Sequence, residues 1–359
     1  MSRTALKSSK LLNFANIYQS LSKRYASKLV YKEYGDPVKV ILKEEDPELS
    51  PGPKEVLVRM LAAPVNPADI NTIQGKYPSK PPLPAIPGNE GVGVVEKAGP
   101  EVSTIAEGDR VVPLTANLGT WRTHLVLPTS NVLKVPKTLG LVEASTLTVN
   151  PCTAYRMLRD FAPLKPGDTV IQNGANSACG QNVIQICRSW GIRTVNVVRN
   201  RPEIDQLKAY LTDLGATYVL TEEEIRSTKI FQTEKLDKPK LALNCVGGKS
   251  ALEIMRYLQN GSPIVTYGGM SREPLTVPTS ALIFKDIQAV GFWMTRWSKE
   301  NSDSVERLEM FEELISMMTN NDLKGPAYEM VKFDNYSEAL MNTMTVKGMI
   351  GKKFILDFS

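Results

Sequence analysis

Hydrophobic and polar positions along the chain follow two regimes that meet near residue 150. Between residues 34 and 136, short strand-like apolar runs at 55–61, 91–95, 109–112 and 123–127 alternate with turns, and 15 of the 24 prolines fall in this interval. Proline cannot donate to a central ladder and is confined to strand ends, edges and loops, so this half is predicted to be a small β barrel without a long helix. From residue 150 the period changes. Asn150-Pro151 supplies an N-cap and first helical position for a segment ending near Phe161, and Lys165-Pro166-Gly167-Asp168 turns into an apolar strand over 169–172. Helices over 178–190, 203–214 and 250–258 then alternate with strands over 194–198, 218–220, 241–244 and 264–267, with a sixth strand at 287–292. That alternation predicts parallel βαβ units. The expected fold class is α/β: a doubly wound parallel sheet over 150–297, and a β-rich domain over 28–149 to which 298–359 returns.

Charge changes the picture only at the start. The formal charge of +5 is carried by Arg3, Lys7, Lys10, Lys23 and Arg24; no acid precedes Glu33, and beyond residue 25 basic and acidic side chains balance. A neutral body without basic runs argues against nucleic-acid binding, which needs clustered Lys and Arg to neutralise phosphates. The acid-free, serine-containing segment 1–25, with Leu11, Phe14, Tyr18 and Leu21 at helical spacing, reads as a mitochondrial presequence cleaved around Arg24-Tyr25-Ala26-Ser27, with a disordered basic tail as the alternative. No apolar run approaches the roughly 20 residues of a membrane helix. Cys152, Cys179, Cys187 and Cys245 form no CxxC pair and His124 is the single histidine, so no metal site is expected.

The chemistry centres on Asn173-Gly174-Ala175-Asn176-Ser177-Ala178-Cys179-Gly180, which joins a predicted strand to a predicted helix. Small residues let the backbone approach a pyrophosphate while the helix start offers free N–H groups; close packing alone would also explain them. Beyond Gly180 by 19 residues, where an NAD-binding chain carries a carboxylate for the ribose 2′-OH, stands Arg199 in Arg199-Asn200-Arg201. Two guanidiniums suit a 2′-phosphate and favour NADPH over NADH, the alternative being surface arginines at a strand end.

Three strings precede that turn: Leu61-Ala62-Ala63-Pro64-Val65-Asn66-Pro67-Ala68-Asp69, Gly88-Asn89-Glu90-Gly91-Val92-Gly93 and Gly119-Thr120-Trp121-Arg122-Thr123. In this order, ahead of a nucleotide-binding sheet, they resemble the medium-chain dehydrogenase/reductase superfamily, which implies a GroES-like catalytic domain and a Rossmann domain. Asn89 stands where the zinc alcohol dehydrogenases of that superfamily have a metal-binding histidine, which points to a zinc-free branch. Within it, from about Lys28 to the C-terminus, the chain is similar to the mitochondrial 2-enoyl thioester reductases, through Ile73-Gln74-Gly75-Lys76-Tyr77-Pro78, Val149-Asn150-Pro151-Cys152-Thr153-Ala154-Tyr155, Leu243-Asn244-Cys245-Val246-Gly247-Gly248-Lys249-Ser250, Tyr267-Gly268-Gly269-Met270 and Gly291-Phe292-Trp293.

The resemblance implies that Tyr77 donates a proton, that Asn150 lies near the nicotinamide, and that Asn176, Ser177, Ala178, Cys179, Arg199, Asn200, Arg201, Tyr267, Gly268, Gly269, Met270, Phe292, Trp293, Met294 and Lys353 line an NADPH site. It also implies an enoyl thioester substrate borne by acyl carrier protein or CoA, a role in mitochondrial fatty-acid synthesis in the matrix, and a homodimer. Asn200 replaces an expected Asp and Cys179 an expected Val; the latter adds a thiol open to oxidation. Read without the family, Tyr77 pins a Pro-rich loop, Asn150 caps a helix and Trp293 is core. Two other functions compete: a quinone or alkenal reductase sharing the nucleotide site but needing neither Tyr77 nor a long acyl pocket, and a catalytically silent NADPH-binding protein.

Overall fold

The computed structural model describes residues 26–78, 80–115, 117–234, 236–345 and 352–359, so the expected leader lies outside the described residues. In the first half a two-stranded antiparallel ribbon, β1 (Ser27–Tyr31) and β2 (Ile41–Glu45), flanks a larger sheet. That sheet holds β3 (Glu55–Pro64), β4 (Val92–Ala98), β5 (Arg110–Pro113), β6 (His124–Pro128) and β7 (Val132–Lys134). Pro64, Pro113 and Pro128 each end a strand, where their missing N–H costs no ladder bond. Val56, Val58 and Met60 of β3 alternate inward against Val95, Val111, Leu125 and Leu127. Fully buried Trp121 closes this domain and donates its indole N–H to the Pro64 carbonyl at 3.3 Å.

The second half is a six-stranded parallel sheet of β8 (Thr169–Asn173), β9 (Arg193–Val198), β10 (Tyr218–Thr221), β11 (Leu241–Asn244), β12 (Pro263–Thr266) and β13 (Gln288–Gly291). Its order, β10-β9-β8-β11-β12-β13, reverses direction between β8 and β11, and ligands of doubly wound sheets bind beyond the carboxyl ends of the strands at that switch point. Every residue of β8 and β11 is buried, as central strands covered on both faces require.

The two halves share a core. Ala62, Val92 and Val112 of the β-rich sheet join Ala154, Met157 and Leu158 of the helix Asn150–Asp160 and Met310, Phe311 and Leu314 of the helix Val305–Thr319 in one buried cluster. The second of these helices lies against the first, with the Tyr155 hydroxyl donating to Glu313 at 2.6 Å, while its Arg307 reaches the Leu114 carbonyl. Only then does the chain rejoin the β-rich sheet. β15 (Lys353–Asp357) pairs antiparallel with β3, and β14 (Tyr328–Lys332) parallel with β15.

Candidate active site

The turn after β8 is shaped for close approach. Gly174 has φ +59°, and a Cβ there would sit 2.3 Å from the Cys245 sulfur; one on Gly180 would meet the Ala175 carbonyl oxygen at 2.6 Å. Ser177 caps the helix Ala178–Ser189, its Oγ accepting from the Gly180 N–H at 3.1 Å. The N–H groups of Ala178 and Cys179 have no intrahelical acceptor, so the helix start presents donors and a positive dipole end. The Asn176 carbonyl is held by the Gln181 amide at 2.8 Å. Across the switch point, Asn173 donates to the Asn244 side chain at 2.8 Å and accepts from the Cys245 N–H at 2.9 Å, which fixes the loop after β11 against the phosphate turn.

At the end of β9, Arg199 and Asn200 are exposed and Arg201 half-buried. Burial lowers the Arg201 pKa, Arg199 lowers it further, and Glu203 opposes both. Two like charges held together in this way are relieved by a doubly charged anion.

The residues around Trp293 that are expected to line the cofactor site divide. Phe292 and Met294 are buried in the shared core, Phe292 packing edge-on to Phe161 at 5.9 Å. Trp293, between them in extended conformation, points the other way and meets the Tyr77 ring edge-on at 5.9 Å and 76°. Burial raises the Tyr77 pKa above its ordinary value, the Trp293 indole opposes the shift and Asp69 adds to it; the hydroxyl stays protonated at neutral pH. Met270 is two-thirds exposed and Gly269 faces open space, while Gly268 lies against the Cys245 backbone.

Asn150 departs from its expected role as N-cap. The cap is Val149, and Asn150 is the first residue of its helix, with a buried Nδ2 that finds no partner. The Tyr267 hydroxyl lies buried against the thiols of Cys179 and Cys245, and the buried Trp293 Nε1 against Tyr77. Buried polar groups are nearly always satisfied, so a ligand carrying an acceptor fits against the Asn150 amide. A nicotinamide dinucleotide carries such acceptors.

Lys353, only 7 % exposed, stands in a buried polar cluster instead of facing open space. Its ammonium donates to Asn66 Oδ1, the Asn66 amide donates to Glu90 at 2.8 Å, and Asp69 accepts from the Asn66 N–H at 2.8 Å. Burial lowers the Lys353 pKa, opposed by Glu90 and Asp69, and it raises Glu90 against the pull of Lys353. Asp69 is pushed up to about 7, chiefly by burial.

Residues 52–137 match the alcohol dehydrogenase GroES-like domain family, and residues 178–313 the zinc-binding dehydrogenase family. The chain is 46 % identical to the mitochondrial enoyl-[acyl-carrier-protein] reductase of Xenopus tropicalis over 331 residues, covering 91 % of this chain and 95 % of that one. The human protein of the same description is 47 % identical over 334 residues, covering 91 % and 87 %. The chain belongs to this reductase family. Among solved structures, a mutant enoyl thioester reductase of Candida tropicalis superposes with TM-score 0.85 at 34 % identity, over 93 % of this chain and all of that one. A complex of Etr1p with NADP and crotonyl-CoA gives TM-score 0.85 at 35 % identity over 93 % and 99 %. A Pseudomonas syringae quinone oxidoreductase, at 24 % identity and TM-score 0.77 over 92 % and 99 %, shares the fold.

Asn89, expected where a zinc enzyme has a ligand histidine, donates its amide to Asp69 at 2.5 Å and accepts with its carbonyl from the Asn117 N–H at 3.0 Å. Among the described residues no group of three or more His, Cys, Asp or Glu side chains is arranged to hold a metal. Dialysis against a strong chelator is therefore expected to leave turnover unchanged; activity lost and then restored by zinc would contradict this. Cys179 is 5 % exposed, and burial pushes its thiol up to about 12. Oxidation requires an accessible thiolate, so the sequence expectation of a reactive thiol is corrected. Glu90 and Asp69 were absent from the sequence-derived set although both stand in the quoted strings, because no pattern marks a carboxylate as buried.

Proposed function

We propose that the chain reduces the double bond of trans-2-enoyl thioesters with NADPH, as the enoyl reductase of fatty-acid synthesis in the mitochondrial matrix. The observation that carries this reading is a protonated, half-buried Tyr77 hydroxyl set against Trp293. NADPH supplies a hydride to Cβ. The negative charge that then develops on Cα and the thioester oxygen needs donors, and a proton must reach Cα to complete the saturated product. Tyr77 gives that proton, Asn150 orients the nicotinamide edge, and Arg199 with Arg201 selects the phosphorylated cofactor. An open cleft of about 500 Å3 lined by Trp293, Thr295, Arg296, Lys299 and Glu300 receives the acyl thioester. Exposed Arg296 and Lys299 at its rim suit a phosphopantetheine borne by acyl carrier protein.

The protein works as a homodimer. β13 is an edge strand with exposed Gln288, Ala289 and Gly291, and the helix before it, Thr279–Lys285, exposes Ile283 at 67 % and Phe284 at 76 %. Such an edge beside apolar side chains favours a second copy. Incubation with trans-2-decenoyl-CoA and NADPH should yield decanoyl-CoA by mass spectrometry, with one cofactor oxidised per product. An unchanged thioester would refute the assignment.

A further inference from the structure

The helix that carries Asn150 is held from the other domain. Its cap, Val149, has no side-chain capping bond of the usual kind, and the Val149 N–H is instead taken at 3.0 Å by Oε2 of Glu90, a residue with no exposed surface in the β-rich domain. Thr148 adds a longer hydroxyl bond to the same oxygen at 3.4 Å. A carboxylate at a helix start is favoured by the dipole, and here it bridges the two halves of the chain.

The other oxygen, Oε1, accepts from Asn66 at 2.8 Å. Asn66 and Asp69 form the capping box of the helix Pro67–Ile73. The last turn of that helix, through Gly75 N–H to Thr72 O at 2.9 Å and Lys76 N–H to Asn71 O at 2.9 Å, leads directly into Tyr77. One carboxylate thus touches the anchor of Asn150 with one oxygen and the anchor of Tyr77 with the other. Lys353 supplies the compensating charge that lets it be buried.

We propose that Glu90 is a positioning residue, setting the Asn150 amide and the Tyr77 hydroxyl on opposite sides of the reacting double bond through its two oxygens. The proposal rests on the enoyl reductase reading. Misplacement of reacting groups by about 1 Å costs on the order of a hundredfold in rate, which is the scale of effect at stake. Gln in place of Glu90 keeps the length but offers one accepting oxygen, so it sets donor against donor at Asn66 or at Val149. Asp keeps the charge and both acceptors but falls one methylene short.

The test is reduction of trans-2-decenoyl-CoA in D2O by wild type, Glu90→Gln and Glu90→Asp, with kcat, NADPH Kd and the face of Cα that receives deuterium all measured. Wild type should place deuterium on one face. Wild-type failure to turn over would reject the underlying activity, separately from this proposal. Both variants are expected to lose about ten- to a hundredfold in kcat, to bind NADPH within about threefold of wild type, and to give product labelled on both faces, because solvent then quenches a misaligned enolate. A rate loss with full face selectivity would make Glu90 merely structural. Wild-type behaviour of the Asp variant would leave it a counter-charge for Lys353, and failure of both variants to fold would make it a stability residue; each of these results overturns the proposal.

Discussion

Tyr77→Phe is expected to lower turnover of a trans-2-enoyl thioester by about two to four orders of magnitude while NADPH affinity and melting temperature stay close to wild type. The substitution is narrow. It preserves the ring that lies edge-on to Trp293 and removes only the hydroxyl whose pKa burial has raised. Were Tyr77 only a pin for the loop containing Pro78, Pro81, Pro82 and Pro84, phenylalanine would serve equally and turnover would be unchanged. Steady-state kinetics on a folded, NADPH-binding variant therefore separates the two roles. Near-normal turnover would leave water or another hydroxyl as the proton source and shift weight to a quinone or alkenal reductase.

Arg199→Glu should raise the Michaelis constant for NADPH by at least about tenfold, since in its proposed role it would delete a charge-assisted bond to the 2′-phosphate and add like-charge repulsion. The same variant should use NADH with little loss. The contrast arises because Arg199 is exposed at the end of β9, where a reversed charge disturbs no packing. Paired measurement of both cofactors checks it, and equal losses would make Arg199 a structural residue.

Much of this arrangement was legible because the features that mark it are local. Prolines 64, 113 and 128 delimit strands where the sequence spacing suggested turns, and the apolar runs of β8 and β11 announce strands buried on both faces. The place of the 173–180 turn between β8 and a helix, and of Arg199 just past β9, follows from offsets along one βαβ unit. What the sequence concealed depends on partners far apart in the chain. Asn150 reads as a cap, yet the helix starts one residue earlier because Glu90 occupies the Val149 N–H from 59 residues away. Phe292 and Met294 flank Trp293 in the expected site, but extended backbone turns alternate side chains to opposite faces, so Trp293 faces Tyr77 and its neighbours the core. Lys353 reads as a cofactor contact from resemblance alone; only the fold brings Asn66, Asp69 and Glu90 around its ammonium. The helix Val305–Thr319, in the stretch read as a return to the β-rich domain, lies against the helix Asn150–Asp160 through apolar residues that a charged surface pattern masked.

The central claim is that the site is built for an enoyl thioester, and the most direct measurement is NADPH oxidation by the purified protein against a medium-chain trans-2-enoyl-CoA and a 1,4-quinone, side by side. The expected result is a kcat/KM for the thioester at least about a hundredfold above that for the quinone, with Tyr77→Phe lowering the thioester value alone by about two to four orders of magnitude. Preference for the quinone, or oxidation of neither, would contradict the account.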